Sequence, residues 1–332
     1  MKHGADIYTY ASQAGHKEDE MIDFSSNINS HCPNIDITLT DSMLVRYADS
    51  SYIKLKKRIA KTYTVKKSQM SLYNGATSAI MEIFKALKIK DVYLYAPLYG
   101  EYEKAAHISR KNVIKINRFK DIDKKPRENS IVVFVNPSTP DGKQYDLKKL
   151  FNMWKDRNCT VILDESFLEF EELESLRNEI NKYEKLYIIQ SFSKFYSCAG
   201  VRIGAIFSNR KNIKKLKTPL WNLSSFDVEF LNKRLSDKKF IIKSRKLHKK
   251  NKDELLKILE NSKLFTKIYA SDSNFFLTKA KDSSKLFKHL LEHKILVRTC
   301  GSFDYLSNDY LRFAVKDSAS HMVLKKAFSE LT

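Results

Sequence analysis

Lys194 is the residue of this chain whose setting most suggests covalent chemistry. It lies in Ser191-Phe192-Ser193-Lys194, directly after the apolar run Leu186-Tyr187-Ile188-Ile189, and Arg202 follows across the small-residue turn Cys198-Ala199-Gly200. An apolar run bounded by turn residues predicts a buried strand, which would hold one amine and one guanidinium at its end. A lysine amine suits an imine with an aldehyde, while serine hydroxyls and a fixed guanidinium suit a phosphate dianion. Together these are the demands of pyridoxal 5'-phosphate. A solvated loop lysine is the competing reading, which only further pieces can displace.

Those pieces stand at the ends of other strands. The run Ile131-Val132-Val133-Phe134-Val135 stops at Asn136-Pro137, and Thr160-Val161-Ile162-Leu163 stops at Asp164-Glu165. A carboxylate at Asp164 could keep a pyridine nitrogen protonated, so that the ring accepts electrons when a bond at the substrate Cα breaks. Asn136 could hydrogen-bond the ring's phenolic oxygen, and the plain alternative for Asp164 is a helix N-cap. In Leu72-Tyr73-Asn74-Gly75-Ala76-Thr77-Ser78 a strand, a glycine turn and a helix start leave backbone N–H groups open to an anion. Tyr99 follows the strand Val92-Tyr93-Leu94-Tyr95 at its mouth and could stack on a planar ring, or simply pack on the surface.

Apolar strands without polar alternation, separated by helices, predict an α/β fold with a parallel sheet covered on both faces. Sites in such sheets collect at the carboxyl ends of the strands, where Asn136, Asp164 and Lys194 all fall. Residues 1–45 read as an arm containing a short helix and a brief strand at Ile22-Asp23-Phe24. Residues 46–225 read as the large domain, with a helix from Tyr52 to Tyr63 and another from Lys148 to Arg157. Residues 226–332 read as a small α+β domain. It opens with one or two helices between Asp227 and Leu259 and continues with strands at Phe265–Tyr269, Asn274–Leu277, Ile295–Arg298 and Tyr310–Val315, plus two helices. Arg298 and Arg312, on or beside strands, could grip a carboxylate or phosphate in fork geometry; each alone also reads as a surface ion pair.

The composition fits a globular enzyme. With 332 residues and 42% hydrophobic content the chain can bury a large core. No apolar run is long enough to span a membrane and the start lacks an apolar signal core, so a cytoplasmic protein is expected. Cys32, Cys159, Cys198 and Cys300 show neither paired nor metal-ligand spacing, and no metal is expected. The net charge of +21 raises nucleic-acid binding, but the basic residues are spread along the chain at helix-surface spacing and read as solvated faces.

Six segments in order resemble one family: Asn74-Gly75-Ala76-Thr77, Pro97-Leu98-Tyr99-Gly100-Glu101-Tyr102, Asn136-Pro137, Asp164-Glu165-Ser166-Phe167, Ser191-Phe192-Ser193-Lys194 with Arg202, and Leu311-Arg312. They resemble the fold-type I pyridoxal-phosphate enzymes of the aminotransferase class I/II group, in the branch of histidinol-phosphate aminotransferases and threonine-phosphate decarboxylases. The resemblance implies that Lys194 carries the cofactor aldehyde, Asp164 pairs with the pyridine nitrogen, Asn136 touches the ring hydroxyl and Tyr99 stacks on the ring. It assigns the cofactor phosphate to Ser191, Ser193, Arg202 and the start of the helix at Gly75, Ala76 and Thr77. Tyr47 matches a tyrosine that reaches the other subunit's cofactor phosphate, which implies a homodimer, and Arg312 matches the arginine that binds the substrate carboxylate.

The opening His3-Gly4-Ala5-Asp6-Ile7-Tyr8, followed by Ile22-Asp23-Phe24-Ser25-Ser26-Asn27-Ile28-Asn29, resembles the decarboxylases, as do Phe167 and Leu296-Val297-Arg298-Thr299-Cys300-Gly301-Ser302-Phe303. Ala5, Ser30-His31 and Ala48 depart from the usual residues. The implied reaction is decarboxylation of L-threonine O-3-phosphate or L-serine O-phosphate, with His3, Asn27 and Arg298 holding the substrate phosphate and the product feeding cobalamin synthesis. The alternative within the branch is an aminotransferase using histidinol phosphate and 2-oxoglutarate.

Overall fold

The computed structural model describes residues 4–35, 37–38 and 40–331. The arm holds α1 (Ile7–Ala14) and the two-residue strand β1 (Ile22–Asp23), and α2 (Asp41–Val45) and α3 (Ile53–Thr62) follow. The central region then runs β2 (Met70–Asn74), α4 (Gly75–Ala86), β3 (Asp91–Ala96), α5 (Glu101–Ile108), β4 (Asn112–Asn117), β5 (Ile131–Val135), α6 (Leu147–Asp156), β6 (Thr160–Asp164), β7 (Leu186–Ser191), β8 (Ile203–Phe207) and α7 (Arg210–Ile213). Next come α8 (Ser225–Ser236), α9 (Lys238–Asn261), β9 (Phe265–Ile268), β10 (Phe275–Ala280), α10 (Ser283–Glu292), β11 (Ile295–Leu296), β12 (Arg298–Thr299), β13 (Tyr310–Ala314) and α11 (Ser318–Ser329).

Seven strands form one mixed sheet in the order β2-β8-β7-β6-β5-β3-β4, in which only β8 opposes its neighbours. The uninterrupted apolar character of its middle strands has a direct cause. Val132, Phe134, Val161 and Leu163 face a cluster with Trp154 of α6 and Leu55 and Ile59 of α3. Ile131, Val133, Ile162 and Ile189 face the opposite cluster, with Ile80, Ile83 and Phe84 of α4 and Tyr102 of α5. Both faces are thus withdrawn from water, as a sheet flanked by helices requires.

A four-stranded antiparallel sheet, β12-β13-β10-β9, forms the carboxyl-terminal layer. It packs against α9, α10 and α11 through Leu255, Leu290, Phe313 and Phe328. The stretch Ile295–Arg298 is two strands and not the single one expected. β11 pairs in parallel with β1 of the arm, and the chain crosses at Val297 to pair β12 with β13. The basic stretch after Ser224 is two helices, broken where the Asp237 carboxylate caps α9 by accepting from Phe240 N at 2.9 Å. The edge strand β4, half exposed and carrying a lysine in its middle, and the reversed strand β8 gave no sequence signal of their own.

Gly204 in β8 packs directly under the start of α4. A Cβ there would lie 2.5 Å from Ala76 N, and the neighbour is backbone that cannot rotate away. Gly204→Ala should therefore lower unfolding stability by about 1–3 kcal/mol or more, read as a lower urea midpoint at unchanged slope. An unshifted midpoint would show that the helix start yields freely.

Candidate active site

The site begins where β2 turns into α4. Gly75 has φ +74°, a backbone region that disfavours side chains, and its N–H donates to Arg202 O at 3.0 Å. A Cβ on Gly75 would meet Arg202 Nη2 at 2.5 Å, so the absence of a side chain lets the guanidinium lie against the helix start. Arg202 Nη1 donates to Ala199 O at 2.9 Å, which fixes the fork. Ser191, at the end of β7, and Ser193 line the same cavity as Ala76, Thr77 and Arg202. A helix amino terminus, two hydroxyls and a guanidinium make an anion cradle.

Asp164 ends β6 and is nearly inaccessible. Its Oδ1 accepts from Ser166 N at 2.9 Å and its Oδ2 from the hydroxyl of Tyr102 at 2.7 Å. Burial pushes its carboxyl above the usual range, while Ser166, Tyr102 and the Lys194 charge pull it back. A cation placed on this carboxylate would relieve that tension. Tyr102 was not assigned a role from sequence. Its signal was the spacing Tyr102, Ala105, Ala106 on the buried side of α5, which turns it toward the sheet. Tyr99 borders the cavity with its hydroxyl 3.4 Å from Thr77 Oγ1.

Lys194 is half-buried and lines the cavity. Desolvation first, then the charges of Arg312 and Arg202, lower its amine to about 8, against a smaller opposing pull from Asp164. Its loop is tied down by the arm: Asn29 N donates to Lys194 O at 3.0 Å, Asn29 Nδ2 to Phe195 O at 2.8 Å, and Ser197 Oγ to Asn29 O at 2.8 Å. Asn29 is thus a structural member of the site that sequence reasoning placed only in a motif.

The far wall comes from the small sheet. Arg298 and Arg312 are direct partners across β12 and β13, so both side chains leave the sheet on the same face. Arg312 Nη1 donates to Thr139 Oγ1 at 3.1 Å and Nη2 to Ser25 O at 3.0 Å. Its Nε is buried without a partner among the described residues. Burial and the neighbouring Arg298 help lower its pKa to about 10, burial being the larger cause. Arg298 Nη2 donates to Ser302 Oγ at 2.8 Å, and its guanidinium lies over the Phe303 ring. Asn27, from the arm, has a buried Oδ1 with no hydrogen-bond partner among the described residues. At the rim Lys115 bridges Glu103 of α5 and Asp304, each at 2.8 Å, and so ties the large sheet's side to the small one.

These groups enclose a cavity of ≈ 310 Å³, within the range of small-molecule sites. Of the residues singled out in the sequence, Asn27, Ala76, Thr77, Tyr99, Asp164, Ser191, Ser193, Lys194, Arg202, Arg298 and Arg312 line it, and Gly75 supports its wall. Asn136 does not. Its amide is engaged at both ends by the Tyr145 backbone, accepting from Tyr145 N at 2.8 Å and donating to Tyr145 O at 3.1 Å. It braces the loop below the cavity. Tyr47 stands outside the cavity as well, 76% exposed and stacked on Trp221 at a centroid distance of 4.3 Å. His3 lies outside the described residues, although its neighbours Gly4 and Ala5 line the cavity.

Pyridoxal 5'-phosphate fits this donor set. The cradle at α4 matches its dianion, a buried carboxylate short of a cation matches its pyridinium, and an amine lowered toward neutrality matches its aldehyde.

The sequence pattern of the family described as aminotransferase class I and II matches residues 19–329. The adenosylcobalamin biosynthesis bifunctional protein CobDQ of Leptospira interrogans is 29% identical over 99% of this chain; the chain spans 41% of that relative's length. The solved histidinol-phosphate aminotransferase of Clostridium acetobutylicum is 27% identical with a TM-score of 0.80, covering 93% of this chain and 98% of that one. The L-threonine-O-3-phosphate decarboxylase of Porphyromonas gingivalis shares the fold at 23% identity, also with a TM-score of 0.80 and coverages of 93% and 98%.

The lowered amine of Lys194 has a kinetic signature. The neutral, nucleophilic form dominates above about 8 and is lost below it. The rate at which apoprotein recombines with pyridoxal 5'-phosphate should rise about tenfold per pH unit up to about 8 and then level off. A plateau reached only near the ordinary lysine value would show that the cavity does not depress this amine. Lys194→Ala, desalted after loading, should lack the absorbance near the visible edge that the wild type acquires.

Proposed function

Because this chain belongs to the aminotransferase class I and II family, whose members depend on pyridoxal 5'-phosphate, we propose that it decarboxylates an O-phospho amino acid. The substrate class is L-threonine O-3-phosphate or L-serine O-phosphate, and the product an amino-alcohol phosphate. The observation that carries this reading is the pairing of Arg298 with Arg312, two buried guanidiniums on one face of the small sheet. Two anion holders side by side suit one small substrate bearing both a carboxylate and a phosphate. The name of the Leptospira relative supports a place for the product in cobalamin or cobamide synthesis.

The cofactor would be held by Lys194 at its aldehyde, Asp164 at its pyridine nitrogen, Tyr99 on one ring face, and Ser191, Ser193, Arg202 and the first amides of α4 at its phosphate. When bound, it supplies an electron sink conjugated to the substrate Cα. Arg312, braced by Thr139 and Ser25, orients the substrate carboxylate, and Arg298, with Asn27 and His3, the phosphate. Fixing both anions would set how the substrate Cα is oriented at the site. Lys194 Nζ would move a proton at Cα, and its depressed pKa would let it hold or release one near neutrality. The arm closes the near side through Gly4, Ala5 and Ser25–Asn27, excluding water.

A homodimer belongs to the same proposal. Tyr47 and Trp221 form an exposed aromatic stack beside Leu44, Val45 and Leu220, which supports a second copy covering this face and Tyr47 reaching that copy's phosphate cradle. The second reading, transamination of histidinol phosphate with 2-oxoglutarate, uses the same residues and is supported by the Clostridium structure's identity. Phe167 lines the cavity without a hydroxyl, which favours the decarboxylase.

Cofactor-loaded protein given phosphothreonine or phosphoserine, with no keto acid present, should release CO2 and the phosphorylated amine over many turnovers. No release, with turnover only on histidinol phosphate plus 2-oxoglutarate, would make the protein an aminotransferase. Arg298→Met should raise KM for the phosphorylated substrate about 10- to 100-fold with a smaller change in kcat, as expected for loss of a charge-assisted anion contact. An unchanged KM would remove Arg298 from the phosphate.

A further inference from the structure

The outer side of the small α+β layer carries a cluster that the reaction does not use. His289 lies in the last turn of α10 and His293 one turn on, just past its last residue, so both project along one side of the helix. Glu330, just past the last residue of α11, meets them. One ligand atom from each of the three lies within 4.8 Å of the others. None of the three lines the cavity around Lys194.

The protonation pattern of the two rings is set by the backbone. His289 Nε2 is 2.8 Å from Ala327 O, and a carbonyl can only accept, so that nitrogen carries hydrogen and Nδ1 keeps its lone pair. His293 Nδ1 is 2.8 Å from His289 O, so it carries hydrogen too and Nε2 is the nitrogen turned to Glu330 Oε2 at 2.7 Å. Each ring therefore donates one N–H to a backbone carbonyl, and His293 Nε2 donates to the Glu330 carboxylate until a cation takes the place of that proton. Histidines that bind metals are held in this way, with the outer hydrogen bond fixing the tautomer.

We infer that His289, His293 and Glu330 form a binding site for a divalent transition cation of the zinc class, clamping the end of α10 to the end of α11. Two imidazoles and one carboxylate are the ligands of Zn2+, Co2+ and Ni2+, whereas Ca2+ and Mg2+ prefer all-oxygen sets. Three protein ligands leave a coordination position for water. With metal–ligand bonds of about 2.0–2.2 Å, His293 and Glu330 must part slightly, and an exposed glutamate at a helix end does so by side-chain rotation. Without the ion His293 Nε2–H donates to Glu330 Oε2, so a cation that takes that nitrogen displaces its proton.

The inference is independent of which reaction the enzyme performs. Tag-free, cofactor-loaded protein at about pH 8 would be titrated with Zn2+ by calorimetry, with Co2+ absorption in the visible as a second readout and Mg2+ as a control. Saturable binding of one ion is expected, with a rise in Tm that Mg2+ does not reproduce. Glu330→Gln, an exposed change that should leave the fold intact, should weaken binding at least about tenfold, and His293→Ala at least about a hundredfold. Both should abolish the Tm rise while leaving the absorbance of the bound cofactor unchanged. No saturable Zn2+ binding, or equal binding by wild type and both variants, would overturn the site and leave the cluster a plain histidine–glutamate ion pair.

Discussion

The architecture depends on keeping an excess of positive charge around one cavity. Lys194, Arg202, Arg298 and Arg312 border a space in which Asp164 is the one deeply buried carboxylate. Cations brought together out of water repel one another and lose hydration, and the lowered pKa values of Lys194 and Arg312 record that cost. The fold bears it in part by fixing the three guanidiniums with neutral acceptors. Ala199 O holds Arg202, Ser302 Oγ holds Arg298, and Thr139 Oγ1 with Ser25 O holds Arg312. Among the described residues no carboxylate pairs with Arg312, which leaves its charge for an anionic ligand. A phosphorylated cofactor and an anionic substrate supply what the protein leaves out.

Three separate parts of the chain build that cavity, and each contributes what its geometry allows. The large sheet sets the carboxyl ends of β6 and β7 side by side, which gives Asp164 and the approach to Lys194 their fixed spacing. The antiparallel small sheet contributes side chains in register, which is why two arginines arrive as a pair. The arm has little secondary structure, yet it joins the two. β1 pairs with β11, Ser25 O takes Arg312, and Asn29 secures the loop of Lys194. A segment held by both layers is positioned by their relative placement, so the arm, the Arg312 wall and the Lys194 loop are mechanically one unit.

Much of this was legible in the sequence for physical reasons. Strands buried on both faces carry no alternation, so Ile131–Val135 and Thr160–Asp164 stand out as continuous apolar runs, and their polar ends mark the site. A glycine between a strand and a helix announced the cradle at Gly75 because the backbone there needs positive φ. What escaped lacked a local pattern. Tyr102 on Asp164, Thr139 on Arg312 and Asn29 on the Lys194 loop are long-range contacts, created only when the sheet brings distant segments together. Asn136 shows the converse, since its position past a strand end was read correctly while its amide turned to Tyr145, a partner nine residues away that position alone does not reveal.

The same division explains why cofactor chemistry is easier to read than substrate choice. Groups that meet the cofactor sit on the rigid sheet and its first helix, where spacing and residue type nearly determine geometry. The groups proposed to meet the substrate sit on the arm and the small sheet, and the seam between them is set by a few hydrogen bonds. Decarboxylation and transamination would begin by breaking different bonds at the same substrate Cα. On the proposed reading, which of them breaks would follow from where Arg298 and Arg312 hold two anions relative to Lys194. A small shift of the seam would alter that placement with every residue unchanged, so the geometry of anion placement would carry more of the distinction than the identity of the residues does.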